Sequence, residues 1–142
     1  MDIVNDIIDK VQHQGESASD AAYLEFVQNN LTEMVESNTD IVGAVLTSSD
    51  GHAMAQHLPA NFDPKRFAAM SSALQALSTT LVREAGKGGL RNVLLEGEEG
   101  NVYLLSVGAK QVLTVFTASK PNLGLTLAVA RRFAQIVEKN TQ

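Results

Sequence analysis

The longest periodic hydrophobic pattern in the chain follows Asp63 and Pro64. Large apolar residues recur there at alternating spacings of three and four, at Phe67, Met70, Leu74, Leu77 and Leu81. This spacing predicts a helix with one apolar side. Aspartate followed by proline predicts where the helix starts, and the glycines from Gly86 predict where it ends.

The other faces of this predicted helix are also uncharged. No charged residue stands between Phe67 and Val82, and alanine, serine and threonine fill the remaining positions. Such a helix must be covered on more than one side. We expect one cover from its own sheet and another from a second copy of the chain, since small side chains let two backbones approach and a two-fold axis would pair the helix with itself. The alternative, two layers of one monomer, needs more chain than 142 residues provide.

Two groups of strands flank the long helix. "DIVGAVLTS" and "HAMAQHL" are separated by "SSDG", whose Asp-Gly pair is typical of a tight hairpin turn. "LRNVLLEG", "NVYLLSVG" and "QVLTVFTAS" follow the helix, with connections short enough to predict antiparallel hairpins.

Helices are predicted at both ends of the chain. "DIVNDIIDKV" predicts a short amphipathic helix, and "HQGESAS" a hinge after it. The next helix should begin near Ser17 or Ser19 and end near Ser37, and the last should run from Pro121 or Asn122 to about Lys139. The result is an α+β domain of order α-ββ-α-βββ-α plus a short N-terminal helix. Residues 1–19 could pack on the domain or dock on a partner, and the sequence favours neither.

Composition and charge narrow the function classes. The net charge is −5, and residues 1–40 contain nine acidic residues against Lys10 alone. With no tryptophan, two tyrosines and no basic stripe, nucleic acid is not an expected partner. There is no apolar run of membrane-spanning length, no secretory signal and no cysteine, which predicts a cytoplasmic protein without a thiolate metal site.

The stretch "VLTSSDGHAMA" concentrates the residue types of a hydrolase or a metal site. Ser48, Ser49, Asp50 and His52 fall within five positions. A nucleophile, however, needs a base within hydrogen-bond reach and a third group that orients the base, and side chains on a short turn point in different directions. We interpret these residues as turn chemistry, and we expect no catalytic residue, no metal and no cofactor.

Several motifs together resemble the roadblock domain family of dynein light chains and bacterial GTPase regulators. These are "VGAVLTSSDGHAMAQHLP", the Ala/Ser-rich helix after "DP", "GGLRNVLLEGEEGNVYLLSVG" and "NLGLTLAVARR". The resemblance covers residues from about 20 to 140, so we assign 20–142 to a roadblock domain and 1–19 to an N-terminal amphipathic segment and hinge. It implies a five-stranded antiparallel sheet of profilin-like type with helices on both faces.

The resemblance also implies self-association and a partner. Family members are homodimers that pair through the long helix and the third strand, here Leu90 to Glu96. The implied interface residues are Phe67, Met70, Ala73, Leu74, Leu77, Leu81, Arg91, Val93 and Leu95.

The implied function is non-enzymatic. The bacterial members bind a small Ras-like GTPase, and some stimulate its GTP hydrolysis by re-setting its switch loops. The resemblance therefore implies an activator-type regulator that modulates GTP hydrolysis by positioning switch loops. This chain has no G-x-x-x-x-G-K-[ST] phosphate loop of its own, which indicates a partner of a GTPase rather than a GTPase. The candidate partner-binding residues are Lys65, Arg66, Arg83, Lys87 and Arg91.

Two other functions stay open at this point. A dimeric structural adaptor with no effect on nucleotide turnover would use the same fold, and an enzyme or ligand sensor would need a pocket of converging polar groups. An arginine acting in trans on a partner, Arg83 or Arg91, also stays open.

Overall fold

One antiparallel sheet with helices on both faces makes up the fold. The computed structural model describes the backbone of residues 3–140 and the side chains of residues 20–140. The elements within this part are α1 (Ile3–Glu36), β1 (Ile41–Ser48), β2 (Ala53–His57), α2 (Pro64–Glu84), β3 (Asn92–Gly97), β4 (Gly100–Val107), β5 (Gln111–Thr117) and α3 (Leu123–Lys139). The strand order is β2-β1-β5-β4-β3, with every neighbouring pair antiparallel. The predicted fold class and element order are confirmed.

The N-terminal part differs from the sequence prediction. The short helix, the hinge at "HQGESAS" and a new helix start near Ser17 or Ser19 are replaced by one continuous helix, α1, from Ile3 to Glu36. A single helical glycine such as Gly15 costs only about 1 kcal/mol relative to alanine, and serine costs less. The hinge prediction gave this small local preference too much weight.

The main core lies between the sheet and the pair α1 and α3. Cross-strand partners such as Leu46 and Leu113, or Ala44 and Val115, point to this side. Val27 and Leu31 of α1 and Val137 of α3 cover them, and all three are fully buried.

Helix α2 lies on the opposite face. Val45 and Thr114, which pair across β1 and β5, are one position out of phase with Leu46 and Leu113, so their side chains point to this second side. Both are buried. The two faces therefore have separate cores.

A tight hairpin joins β3 and β4, with Gly97 paired to Gly100. Gly100 has a φ of 140°, and a Cβ atom there would overlap the carbonyl oxygen of Thr117. The neighbouring Asn101 N–H donates to the Thr117 hydroxyl at 2.8 Å. Glycine at position 100 thus lets the end of β5 lie against the hairpin. The third strand begins at Asn92, two residues after the predicted start at Leu90.

Among the described residues, no helix is both long and apolar enough to cross a membrane.

Candidate functional site

Helix α2 begins as the sequence predicts. Asp63 is the N-cap, its carboxylate accepts a hydrogen bond from the Lys65 N–H at 3.0 Å, and Pro64 follows in the first helical turn. This capping satisfies a backbone donor that the helix itself leaves unpaired.

Small polar contacts attach α2 to the sheet. The Thr114 hydroxyl donates to the Ser71 hydroxyl at 2.7 Å, and the Gln75 amide donates to the Ser106 hydroxyl at 2.9 Å. Of the α2 residues, only Ala68 and Ser71 are buried. Short side chains therefore bring the helix close to the strands, while the long side chains of Met70, Leu77 and Leu81 stay exposed.

Three aromatic rings fix the N-terminal part of α2. The Phe67 ring centroid lies 5.1 Å from that of Phe62 and 4.9 Å from that of Phe116, and the last two are 5.3 Å apart. Phe67, one of the predicted interface residues, is therefore half-buried within its own subunit.

The rest of the apolar stripe is open in the single subunit. Leu77 and Leu81 are each 67% exposed and Met70 is 50% exposed. Ala73 is exposed as well, and Leu74 is half-buried. Large apolar side chains at this exposure on one side of a helix are typical of an interaction surface.

Strand β3 adds a second apolar component. It is an edge strand, and among the described residues it pairs with β4 alone. Leu95 is 42% exposed and Val93 is half-buried. Val93 pairs with Leu104, which in turn pairs with Thr114, so Val93 and Leu95 lie on the same face of the sheet as α2.

Helix α2 covers this face unevenly. Its main contacts are with β1, β2 and β5, away from β3. We define the α2–β3 surface as the apolar residues Met70, Ala73, Leu77, Leu81, Val93 and Leu95. Arg91, the charged residue among the predicted interface positions, lies just before β3 and lines a polar cavity instead.

The predicted basic residues fall into two groups. Lys65 and Arg66 are in the first turn of α2, whereas Arg83, Lys87 and Arg91 are at its end and in the loop to β3. A helix of this length separates the groups by roughly 30 Å. All five side chains are exposed, and they do not form one patch.

Sequence reasoning missed a polar cavity beside Arg91. It has a volume of about 500 Å³ and is lined by Arg91, Asn92 and Arg131, together with Leu90, Ser106, Gly108 and Glu138. In the amide orientation that satisfies both its atoms, Asn92 accepts from Arg131 at 3.0 Å and donates to the Arg91 carbonyl at 2.9 Å. The pairing joins β3 to α3 across 39 positions, and no local sequence pattern indicates it.

The polar cluster of the first hairpin is a turn, as the sequence predicts. The Ser48 hydroxyl donates to the Asp50 carboxylate, and His52 Nδ1 lies 3.1 Å from the same carboxylate oxygen. The Ser48 hydrogen bond, and then the His52 contact, lower the pKa of Asp50 below its ordinary value. The His52 and Asp50 side chains are 81% and 70% exposed. Among the described residues, no group of three histidine or acidic side chains is placed to hold a metal ion.

Comparison with known proteins identifies the domain. The family model for the Roadblock/LC7 domain matches residues 27–117, from the last third of α1 to the end of β5. An uncharacterized protein of Methanocaldococcus jannaschii is 32% identical over 98 residues, which is 69% of this chain and 82% of that protein.

Solved structures share the fold at low sequence identity. Myxococcus xanthus MglB superposes with a TM-score of 0.76 at 18% identity, over 82% of this chain and 87% of that one. A structure of MglB with a tetrameric arrangement gives 0.76 at 18% identity, over 83% and 89%. Profilin IA of Acanthamoeba castellanii gives 0.58 at 14% identity, over 81% and 98%. The sheet order, the family match and these structures lead to one conclusion: the chain belongs to the Roadblock/LC7 domain family.

Proposed function

We propose that this protein forms a homodimer through its α2–β3 surface, and that the dimer binds a small Ras-like GTPase in the cytoplasm and modulates its GTP hydrolysis. The observation that supports this most directly is the exposure of the apolar side chains on this surface. Leu77, Leu81 and Met70 stay half to two-thirds exposed in the single subunit, although they lie on a well-formed helix.

Pairing of two copies would give these side chains the cover they lack. Fully burying a leucine or methionine side chain contributes roughly 1.5–3 kcal/mol, as an upper estimate. The same arrangement would pair β3 with its counterpart, which removes an unpaired strand edge. A two-fold axis uses one patch on both copies, so an uncharged patch meets no like charge there.

The partner part of the proposal rests on the family and on the charge distribution. The family resemblance points to Ras-like GTPases, and the fold of MglB matches this chain over most of its length. The exposed basic residues at the two ends of α2 flank the apolar surface, and they offer contacts for an acidic partner surface.

The proposed mechanism is conformational. A protein shifts the equilibrium of a partner's switch loops only by binding one of their states more tightly. A rigid sheet dimer would favour the switch-loop state that fits its surface, because that surface changes little on binding. Arg83 and Arg91 are exposed and would be available to a bound GTPase, so a direct role in stabilising phosphate charge is the specific alternative.

The test is GTP turnover by the source organism's Ras-like GTPase, with and without this protein, alongside the affinity of its GTP-bound and GDP-bound forms. We expect altered turnover and a preference for one nucleotide state. Arg83→Ala and Arg91→Ala separate the two mechanisms. If the mechanism is conformational, these variants bind the GTPase more weakly but keep the effect on turnover at saturation. If one of the arginines acts directly on the phosphate, its alanine variant loses the effect on turnover itself. Binding without any change in turnover would indicate an adaptor instead, and no binding would remove the GTPase from the proposal.

A further inference from the structure

The sheet has a second edge, at β2, and a glutamine side chain from α1 occupies it. The Gln28 amide nitrogen donates to the Gln56 carbonyl oxygen at 2.8 Å. The Gln56 N–H donates back to the Gln28 amide oxygen at 3.0 Å. One side chain thus satisfies both backbone groups of the same strand residue.

This geometry reproduces the contact that a neighbouring strand would make. In an antiparallel ladder, a hydrogen-bonded residue exchanges one N–H and one C=O with the residue opposite. A glutamine amide has the same donor and acceptor as a peptide group. Both groups of Gln56 point away from β1, since both are bonded to Gln28 on the outer side of this edge strand, where Gln56 is opposite Val45. Gln28 therefore stands where a sixth strand would place its backbone.

Further contacts hold Gln28 in this position. Its amide nitrogen also lies 3.1 Å from the Thr32 hydroxyl, one helical turn later. Val27 and Leu31, on either side along α1, are fully buried against the sheet. The backbone of α1 is therefore fixed beside the β2 edge, and the Gln28 amide reaches Gln56 without any shift of the helix.

We infer that Gln28 closes the β2 edge to strand pairing, so that a second copy of this chain can extend the sheet only at β3. This inference rests on the proposed homodimer, and it adds a reason why assembly stops at two copies. A sheet open at both edges would keep adding copies, whereas a sheet open at one edge ends as a closed pair. Edge strands in other proteins are protected by charges, prolines or bulges. Here the protection is a side-chain amide.

Gln28→Ala tests the inference, and Gln56→Ala is its matched control. The Gln56 side chain is exposed and its backbone makes both bonds, so the control keeps the contact. We expect amide hydrogen exchange at Gln56 to become about tenfold faster or more in Gln28→Ala, since the amide loses its acceptor. We also expect light scattering of concentrated Gln28→Ala to show species larger than the wild-type particle, with neither change in the control.

A second variant guards against loss of folding. Gln28→Glu keeps the acceptor for the Gln56 N–H but places a carboxylate against the Gln56 carbonyl. It should retain part of the exchange protection, and it should keep the wild-type mass, because a charge at a strand edge itself opposes pairing. If folded Gln28→Ala keeps the wild-type mass distribution, the inference is wrong, whether or not Gln56 exchange is faster.

The mass of the wild-type protein is a separate result. A monomeric wild type would contradict the proposed homodimer. The edge-closing role of Gln28 would still stand if Gln28→Ala, and not the wild type, assembled into larger species.

Discussion

Thr114, on the central strand β5, donates a 2.7 Å hydrogen bond to Ser71 of α2, and both side chains are buried. A second threonine on the same face behaves differently. Thr47 of β1 is fully buried, and its hydroxyl has no hydrogen-bond partner among the described residues. The two hydroxyls thus share an environment and differ in pairing, which makes them a matched pair for mutation.

We expect Thr114→Val to destabilise the protein by about 1–3 kcal/mol, because the Ser71 hydroxyl then stays buried without its partner. Thr47→Val should be neutral or stabilising, by up to about 1–2 kcal/mol, because it replaces an unpaired hydroxyl with a methyl of similar size. Urea unfolding at constant protein concentration measures both. Equal destabilisation in the two variants would mean that pairing does not matter at this face.

Leu77→Asp tests the α2–β3 surface. The side chain is 67% exposed in the single subunit, so aspartate there should leave the subunit fold intact. In a dimer it would place a charge in an apolar contact, and we expect the dimer dissociation constant to rise at least about 100-fold. Light scattering over a dilution series measures this, with a circular-dichroism melt to confirm folding.

Ala76→Asp is the control for charge and helix propensity. Position 76 is exposed and lies about 100° around the helix from Leu77. The Ala76→Asp variant should dimerise with nearly the affinity of the wild type. A Leu77→Asp dimer of wild-type affinity would place the interface elsewhere.

Gly100→Ala should lower the free energy of unfolding by about 3 kcal/mol or more. Alanine would have to adopt a φ of 140° and overlap the Thr117 carbonyl oxygen, so both backbone strain and a clash oppose it. Gly89→Ala is the contrast, since its φ is not positive and its Cβ would meet no atom within 4 Å. That change should be neutral or slightly stabilising. Thermal melting of the two variants distinguishes a special position from a general effect of losing glycine.

The first hairpin should show a pH dependence of known sign. The Asp50 pKa is lower in the folded protein than in the unfolded chain, chiefly through the Ser48 hydrogen bond. The carboxylate therefore stabilises the fold above its unfolded pKa, and this contribution disappears as the pH falls through the folded value. Carbon NMR titration of Asp50 should give a higher midpoint in Ser48→Ala than in the wild type. An unchanged midpoint would contradict the assigned cause.

The local signals in the sequence predicted the elements well. Asp63 and Asn122 both serve as helix N-caps in the structure, as their positions before apolar runs indicate. The Asp-Gly turn joins β1 to β2 as expected. These features depend on a few neighbouring residues, and such residues can be recognised in a single sequence.

The wrong part is local, whereas the missing parts depend on contacts between distant segments. The hinge after the first turns of α1 is absent because a helix tolerates isolated weak formers. Gln28 meets the backbone of Gln56, and Arg131 meets Asn92, through the folded sheet alone. The interface residues and the GTPase partner stay predictions.

The pairing of β1 with β5 has a consequence for how fast the chain folds. Ser48 pairs with Gln111 and Ile41 with Thr117, so the central pair of the sheet joins strands near opposite ends of the domain. Pairing over such sequence separation requires closing a long loop before any contact compensates for the lost entropy, which slows folding. On the ribosome, β1 lacks its central neighbour until β5 has emerged, and until then only α1, β2 and α2 are available to pack against it.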